Sequence, residues 1–309
     1  MENKIKIYLN KAGESWVADR FRDEWYQNSK FKTKFLRNSD IVWIISPWTW
    51  QKLDTSLLKT KKVVCTIHHL DIDKFNDKEL KQFYSRDKFV DVYHVPSEST
   101  QNQLINYTEK KIYTVPFWID QEKYFSINDK NSIKKKYGIP EKSFVVGSFQ
   151  RDTEGSDLKS PKLSKGPDKL VEYFTLYKKR EEKLFILLSG YRRQFIINEL
   201  KKIDVQYKYI ERPSIKVLNE LYNSLDLYIV GSRVEGGPQS IMECALIKVP
   251  IISTDVGIAS QILNKSSIFD EKILDAKPDI NHAYKMAKEF TLPNGIKKFE
   301  KMFEEIHEN

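Results

Sequence analysis

Short apolar runs rich in β-branched and aromatic residues recur along the whole 309-residue chain, and longer amphipathic stretches separate most of them. The strand candidates are KIKIYL, DIVWIIS, KKVVCTI, DVYHVP, KIYTVP, FVVGSF, KLFILLSG, VQYKYIE, DLYIVGS and VPIISTD. The runs are nearly continuous rather than alternating, which is typical of strands that are buried on both faces. Strands that alternate with helices over a whole chain predict a parallel α/β architecture.

One highly charged stretch, DQEKYFSINDKNSIKKKYGIPEK at 120–142, contains no strand candidate. We interpret it as the boundary between two α/β domains, an N-terminal domain at 1–125 and a C-terminal domain at 126–290. The last stretch, 291–309, ends in GIKKFEKMFEEIHEN, which has the apolar stripe of an amphipathic helix. We expect this helix to pack back toward the N-terminal domain.

The formal net charge of +9 favours anionic partners such as nucleic acid, anionic lipid or phosphorylated metabolites. The basic residues are mixed with acids, as in YKKREEKL, which favours a solvated surface over a nucleic-acid groove. The denser cluster KNSIKKKYG at 130–138 could be a solvated helix face or could contact a membrane surface. The sequence therefore predicts no nucleic-acid partner.

No apolar run reaches the roughly 18–20 residues that a bilayer-spanning helix requires. The first residues, MENKIKIYLNKAGES, also lack the apolar region of a signal peptide. We therefore expect a cytoplasmic protein, which could bind peripherally to the cytoplasmic membrane. Cys65 and Cys244 lie among apolar neighbours and are predicted to be buried free thiols.

The segment GSRVEGGPQSIMECALIKVPIISTD places Glu235 and Glu243 around a Gly-Gly-Pro corner between two apolar runs. It predicts a strand, a loop, a helix at 238–247 and a second strand, with Pro238 at the first helical position. Ligands bind at the carboxyl ends of parallel strands, so the loop at 233–237 is expected at the ligand-binding edge.

The residue types in this loop favour a nucleoside diphosphate that carries a sugar. Two glycines let the backbone approach a ligand closely, and a helix N-terminus attracts phosphate. Glu243 would lie about 7–8 Å deeper along the helix, where a carboxylate suits the two hydroxyls of a ribose. Glu235 could meet sugar hydroxyls on the other side of the phosphates. The alternative is a surface-exposed Glu243 beside an ordinary turn.

The same segment resembles the Glu-x7-Glu signature of the retaining glycosyltransferases of family 4 type, the glycosyl transferases group 1. The matching residues are Glu235, Gly236, Pro238, Glu243, Ala245, Pro250, Thr254 and Asp255. This resemblance implies the α/β GT-B fold, in which two Rossmann-like domains face each other across a cleft. It also implies that Glu235 contacts the donor sugar. The donor-binding residues that it implies are Gly236, Gly237, Pro238, Gln239, Ser240, Glu243, Ile210 and Glu211.

The stretch FVVGSFQRD, followed by KLSKGPDKLVEYF, resembles the first strand and helix of the family's donor domain. There an arginine and a lysine neutralise the diphosphate leaving group, and Arg151 and Lys165 match them. The intervening loop is longer than usual, so Lys159 or Lys162 could take the place of Lys165. KGPDKL opens a helix, which favours Lys165.

VVCTIHHLDIDKF resembles the strand-plus-histidine of the family's N-terminal domain, whose histidine contacts the sugar near the reacting carbon. His68 is the better match and His69 the second. KYIERPS resembles the base-binding stretch, which implies that the backbone near Ile210 and Glu211 faces the base. Trp118 stands where the family usually has glycine.

Three further features carry weaker signals. Asp71-Ile-Asp73 is the metal-binding pattern of the other major glycosyltransferase fold, but a triplet is common by chance, so we predict no metal site. Gly13 could mark the family's glycine-containing loop under the acceptor. Trp48 and Trp50 could serve the acceptor or belong to the core.

Together these patterns predict a retaining, metal-independent glycosyltransferase that uses a nucleoside-diphosphate sugar and no other cofactor. The expected acceptor is a hydroxyl of a saccharide or lipid-linked saccharide, in cell-surface polysaccharide or lipopolysaccharide synthesis. The predicted catalytic residues are His68, Glu235, Arg151 and Lys165. Two alternatives stay open: a nucleotide-sugar epimerase on a GT-B-like scaffold, and a non-catalytic binder of anions or nucleic acid.

Overall fold

The computed structural model describes residues 5–13 and 17–308 of the chain. These residues divide into two compact units. The first contains the chain up to Trp118 together with the segment from Phe290 onwards, and the second is Ile119–Glu289. Each unit holds a five-stranded parallel sheet, and all ten strands that the sequence predicts are present.

The first unit orders its strands as they occur in the chain, β1-β2-β3-β4-β5. Its strands are β1 (Ile7–Leu9), β2 (Ile41–Ile44), β3 (Lys62–Thr66), β4 (Val92–Val95) and β5 (Ile112–Thr114). Its first four helices are α1 (Val17–Asn28), α2 (Thr55–Leu58), α3 (Asp77–Asp87) and α4 (Glu98–Leu104).

The strands of the first unit are buried on both faces, as their continuous apolar runs predict. In β2, Ile41 and Trp43 enter one hydrophobic cluster, whereas Val42 and Ile44 enter another. Successive side chains of a strand point to opposite faces, so both faces of the sheet need apolar residues. This explains why the sequence shows no alternation there.

The second unit contains a sheet in the order β10-β9-β6-β11-β12 and a small antiparallel hairpin, β7-β8. Its strands are β6 (Phe144–Phe149), β7 (Thr153–Glu154), β8 (Ser160–Pro161), β9 (Leu184–Gly190), β10 (Gln206–Glu211), β11 (Leu227–Val230) and β12 (Ile251–Ser253). Its helices are α5 (Lys130–Lys136), α6 (Pro167–Arg180), α7 (Gln194–Lys202), α8 (Ile215–Asn223), α9 (Gln239–Ile247), α10 (Ala259–Ile262) and α11 (Ile280–Lys288).

The direction of the chain through this second sheet reverses between β6 and β11. The chain runs outward from β6 through β9 to β10, then returns to the other side of β6 for β11 and β12. This is the strand order of a Rossmann half, and in such sheets the ligand crevice lies at the reversal point, outside the carboxyl ends of the strands. A ligand-binding site is therefore expected at the loops that follow β6 and β11.

The basic cluster at 130–138 belongs to the second unit and is only partly solvated. Lys134 is buried and its ammonium donates to the Ser143 carbonyl at 2.9 Å. Lys130 forms an ion pair with Asp226 at 2.7 Å. The interpretation of this cluster as a solvated face is therefore wrong for Lys134, which fastens α5 to the start of β6.

The last helix, α12 (Asn294–Glu308), completes the core of the first unit. Phe299 stacks on Trp43 with ring centroids 5.2 Å apart, and Glu300 accepts a hydrogen bond from the Ser29 hydroxyl at 2.8 Å. A Cβ atom on Gly295 would lie 2.4 Å from the Cβ of Trp118. The tryptophan in the usual glycine position is therefore fully buried and matched by a glycine opposite it.

Candidate functional site

Three of the sequence-predicted site residues lie beside the reversal point of the second sheet. Arg151 follows the end of β6 by two residues, and Glu235 lies in the loop between β11 and α9. Lys165 ends a 3-10 turn, Leu163–Lys165, directly before α6. The ammonium of Lys165 donates to Oε1 of Glu235, and both side chains are largely shielded from solvent.

The two loops are fastened together by contacts that the sequence analysis missed. The Ser164 carbonyl accepts hydrogen bonds from the backbone N–H groups of Arg233 and Val234 at 2.9 and 3.0 Å. The Arg233 guanidinium donates two hydrogen bonds to the Asp168 carboxylate, at 2.7 and 2.6 Å. These bonds lower the pKa of Asp168. The only sequence signal was an arginine two residues before Glu235.

Gly166 makes the close approach of these loops sterically feasible. It has a left-handed backbone conformation, φ +60°, and caps the start of α6. A Cβ atom there would lie 1.8 Å from the Gly231 carbonyl oxygen. Only glycine meets both requirements, so the position next to Lys165 is fixed by backbone contact rather than by a side chain.

Positive charge exceeds negative charge around the cation cluster, which consists of Arg151, Lys162 and Lys165. Arg151 is partly buried and its Nε donates to the Thr153 carbonyl at 3.0 Å. Burial lowers the pKa of the nearby Lys162, and the charges of Lys165 and Arg151 lower this pKa further. Within the described part of the chain, neither Arg151 nor Lys162 forms an ion pair, and Lys165 pairs with Glu235 alone. The cluster therefore suits an anionic ligand.

Glu243 lies inside the second unit rather than on its surface. It is 5% exposed, and its Oε2 accepts a hydrogen bond from the Tyr222 hydroxyl at 2.7 Å. The surface alternative for Glu243 is therefore excluded. Pro238 is the residue before α9 rather than its first helical residue, so the predicted helix start is one residue early. Gln239 and Ser240 open the helix.

The TD pair after β12 holds the site loop from the other side. The Thr254 hydroxyl donates to the Ser232 carbonyl at 2.7 Å. Gly257 has φ +55°, and a Cβ atom there would lie 2.3 Å from the Gly236 carbonyl oxygen. Gly236 is buried whereas Gly237 is partly exposed. The Gly-Gly corner is thus packed on one side, which leaves Gly237 as the accessible residue.

Ile210 and Glu211 end β10, at the same edge of the sheet but two strands away from β6. The Ile210 carbonyl accepts a hydrogen bond from the Ser189 hydroxyl at 2.9 Å. Directly after them, the Arg212 guanidinium lies over the Tyr191 ring, 3.9 Å from its centroid. The structure does not bring these residues into contact with the cation cluster.

His68 belongs to the first unit, where it follows β3 and is partly buried. Its Nε2 lies 2.8 Å from the Ile45 carbonyl. A carbonyl can only accept, so Nε2 carries the proton and Nδ1 keeps its lone pair. Burial lowers the pKa of His68 to about 4, which keeps the ring neutral. The second match, His69, is exposed.

A second histidine, His94, is completely buried beneath this region. Its Nε2–H donates to the Val115 carbonyl at 2.8 Å, so its Nδ1 accepts from the Thr66 hydroxyl at 3.0 Å. The Trp43 indole N–H donates to the same hydroxyl at 2.8 Å. Burial lowers the pKa of His94 to about 3, well below its ordinary value of 6.5.

The stability of the first unit is expected to fall as the pH drops from 6.5 toward 4. Over most of this window the unfolded chain binds a proton on both His68 and His94 and the folded chain binds neither, so the free energy of unfolding decreases by about 2.7 kcal/mol per pH unit, half of it from each histidine. His94→Gln should therefore halve this slope, and the same change at exposed His307 should leave it unaltered. Urea unfolding followed by tryptophan fluorescence measures it; equal slopes for His94→Gln and wild type would contradict the assignment.

The remaining sequence candidates do not assemble into a further site. Asp71 directly precedes a 3-10 turn after β3, and Asp73 lies within that turn. Among the residues described, no three His, Cys, Asp or Glu side chains gather closely enough to hold a metal ion. Cys65 and Cys244 are both buried free thiols, as predicted. Gly13 has φ +78° and an N–H that donates to a side chain of α1, but the LNKAGES loop runs beyond the described residues.

The two tryptophans that could serve an acceptor differ in their surroundings. Trp48 is 54% exposed, whereas Trp50 packs against Phe89 with ring centroids 5.4 Å apart. Trp48 is therefore the one of the two that a partner could reach.

In the described part of the chain, we find no helix with the length and apolar character needed to cross a bilayer.

Comparison with solved structures shows the same fold in several proteins of low sequence identity. The Anabaena protein HepE, in complex with UDP and glucose, superposes with a TM-score of 0.72 at 11% identity, covering 98% of this chain and 100% of that one. A glycosyltransferase from Rickettsia africae gives 0.71 at 16% identity, with 99% and 100% covered. Sucrose-phosphate synthase from Thermosynechococcus elongatus gives 0.68 at 12% identity, with 93% and 77% covered. The predicted α/β fold of the GT-B type, with Rossmann-like domains, is confirmed.

The sequence itself matches a family. A search of curated proteins gives no significant match. The model of the family described as glycosyl transferases group 1 matches residues 129–288, which is more than half of the chain and contains α9 and both site loops. The chain therefore belongs to the glycosyl transferases group 1.

Proposed function

We propose that this protein transfers a sugar from a nucleoside-diphosphate sugar to an acceptor hydroxyl and keeps the configuration at the anomeric carbon. The observation that carries this proposal is the excess of cations at the reversal point, where, among the residues that the structure describes, Arg151 and Lys162 have no counter-ion and Lys165 pairs with Glu235 alone. A partly buried cation without a counter-ion destabilises the fold, and the charged oxygens of a diphosphate would provide that counter-ion. Membership of a glycosyltransferase family supports the same substrate class.

The step to be accelerated is the departure of the diphosphate from the sugar. The bond between C1 and the phosphate oxygen breaks, and negative charge grows on that oxygen. Arg151 and Lys165 lie on fixed loops, so they can stabilise this charge without reorganising during the reaction. The backbone of Gly237 and the first turn of α9 add partial positive charge on the same phosphates. We propose that these groups act without a metal ion.

Glu235 and His68 are proposed to hold the donor sugar. Glu235 offers its second carboxylate oxygen while the first is bound to Lys165. The neutral ring of His68 offers the lone pair of Nδ1 to a sugar hydroxyl. The acceptor oxygen bonds to C1 on the face from which the diphosphate leaves, and its proton passes to the departing diphosphate. Attack on that face retains the anomeric configuration.

Glu243 is proposed to accept hydrogen bonds from the two ribose hydroxyls, and Ile210 and Glu211 to present backbone groups to the base. Glu243→Gln is the matched substitution because an amide oxygen can still accept from Tyr222, so the core should stay intact. The amide cannot accept from both hydroxyls through two oxygens. We therefore expect its affinity for the nucleotide to fall about tenfold.

The experiment compares UDP, GDP and ADP with their 2′,3′-dideoxy forms by isothermal titration calorimetry. HepE binds UDP, which makes UDP the first probe. Wild type should prefer the normal nucleotide by about tenfold, and Glu243→Gln should lose this preference while unfolding at the wild-type temperature. A purely structural role for Glu243 would change stability but not the preference. Failure of wild type to bind any nucleoside diphosphate would refute the proposed function.

The acceptor is proposed to be a saccharide or a lipid-linked saccharide of cell-surface polysaccharide or lipopolysaccharide synthesis, reached from the cytoplasmic face of the membrane. The net charge of +9 and the exposed Trp48 support contact with an anionic bilayer surface. Flotation with anionic and with neutral vesicles tests this part alone. Absence of binding to anionic vesicles at low salt would remove the membrane proposal and leave the transferase proposal intact.

A further inference from the structure

The long loop between Arg151 and Lys165 is not irregular, because it folds into the β7-β8 hairpin. Thr153 pairs with Pro161, and the backbone N–H of Lys162 donates to the Asp152 carbonyl at 2.8 Å. The backbone hydrogen bonding between the two strands therefore extends one residue beyond β7 and β8, away from the turn of the hairpin. Lys162 consequently lies opposite Asp152 at the open end of the hairpin, one residue from Arg151, and its ammonium is close enough to feel the charge of Arg151.

A buried ion pair fixes the open end of this hairpin. Asp152 and Arg193 are both fully buried, with Nε and Oδ2 2.5 Å apart. The Arg193 guanidinium also donates to the Ser189 carbonyl at 2.9 Å, which ties it to β9. A buried charge pair is stable only when its remaining hydrogen-bond groups are satisfied, and here they are. The ion pair thus fixes the backbone at the two positions next to Asp152, which are Arg151 in the chain and Lys162 on the opposite strand.

The surroundings of Lys162 are those of a ligand-binding lysine. Its ammonium is partly buried and makes no hydrogen bond or ion pair within the described chain. The charged groups that act on it are Lys165, Arg151, Glu235 and Glu154. The burial of the ammonium disfavours its charge, and the two cations do so more strongly than the two carboxylates compensate. An anion placed among these cations would reverse that balance.

We propose that Lys162 is a third diphosphate-binding cation of the donor site, acting in addition to Arg151 and Lys165. This inference rests on the proposed function. The sequence left Lys162 only as a substitute for Lys165, but Lys165 is paired with Glu235 whereas Lys162 has no counter-ion among the described residues, so we place Lys162 alongside Lys165 rather than in its stead. The departing nucleoside diphosphate carries one more negative charge than the bound donor, so a third cation stabilises the departing group more than the donor.

The test uses the full-length protein, inorganic pyrophosphate, and whichever of UDP, GDP and ADP binds wild type most tightly. Lys162→Ala should raise the Kd for both probes about tenfold, because it removes one charge-assisted contact. Lys162→Arg should stay within about twofold of wild type. Lys159→Ala removes an exposed lysine from the same hairpin and should change nothing.

A second readout separates a direct contact from a structural effect. The pKa of Lys162 is lowered from the ordinary lysine value of 10.5, and a bound anion would raise it, so binding of the nucleoside diphosphate to wild type should take up protons increasingly as the pH is raised toward that value. Lys162→Arg should bind without this uptake, since arginine stays charged. Calorimetry in buffers of different ionisation enthalpy measures the uptake.

The outcomes distinguish this inference from the proposed function. If Arg151→Ala weakens binding but Lys162→Ala binds both probes like wild type, or if Lys162→Arg keeps the wild-type proton uptake, the role of Lys162 is overturned and the donor site stands. If wild type binds no diphosphate, both proposals fall. Weaker binding by Lys162→Ala together with loss of uptake in Lys162→Arg would establish the third cation.

Discussion

Arg151→Ala is expected to lower kcat about 100- to 1,000-fold while the protein unfolds at nearly the wild-type temperature. The size of the loss follows from removing one fixed charge that is aimed at the oxygen on which charge develops. Stability should change little because the only described hydrogen bond of the side chain goes to the Thr153 carbonyl, at 3.0 Å. Loss of turnover without loss of folding would mark a group that acts in the reaction itself.

The measurement is release of the nucleoside diphosphate from the donor that binding assays identify, at saturating donor. Arg180→Ala is the control, because Arg180 ends α6 in an exposed position far along the chain from the site loops. Arg180→Ala should retain full activity. Turnover of Arg151→Ala within about twofold of wild type would show that Arg151 does not stabilise the leaving group.

Gly166→Ala is expected to destabilise the second unit by roughly 2–5 kcal/mol and to abolish transfer. Two costs add at this position. A left-handed conformation costs a non-glycine residue roughly 1–2 kcal/mol. The new methyl group also meets the Gly231 carbonyl oxygen at 1.8 Å, and relieving such an overlap costs roughly 1–3 kcal/mol or more. Separating the two loops would pull Lys165 away from Glu235.

Gly138→Ala separates these two costs. Gly138 has nearly the same conformation, φ +63° against φ +60°, but a Cβ atom there would have open space around it. It should therefore show only the conformational cost of roughly 1–2 kcal/mol and keep its activity. No tryptophan follows Trp118 in the sequence, so far-UV circular dichroism rather than tryptophan fluorescence should follow unfolding. Equal stability of the two variants would mean that the loops do not touch at Gly166.

The sheets could be predicted from the sequence because burial on both faces leaves a local mark. Most strands of the two sheets coincide with a continuous apolar run, whereas in β10 exposed and partly buried residues largely alternate. The β7-β8 hairpin left no such mark, since its strands are two residues long and lie in the polar stretch DTEGSDLKSPKLS. An apolar pattern in a short stretch of sequence marks buried side chains, and β7 and β8 bury few of them.

The candidate site was predictable as a set of residues but not as a set of contacts. Arg151, Lys165 and Glu235 were found through their resemblance to a family signature. The ion pair between Lys165 and Glu235 joins residues 70 positions apart, and the bond from Tyr222 to Glu243 joins two different helices. Such pairings are set by how the elements pack, and no spacing rule within one segment encodes them.

The return of the chain to the first unit also determines the order in which the protein can fold during synthesis. The ribosome releases all of Ile119–Glu289 before α12 emerges. Until then, the apolar surface that Phe299 and Phe303 cover remains exposed on the first unit. A stalled chain that ends before α12 is therefore expected to carry a folded second unit and a first unit that is prone to aggregation and sensitive to proteases.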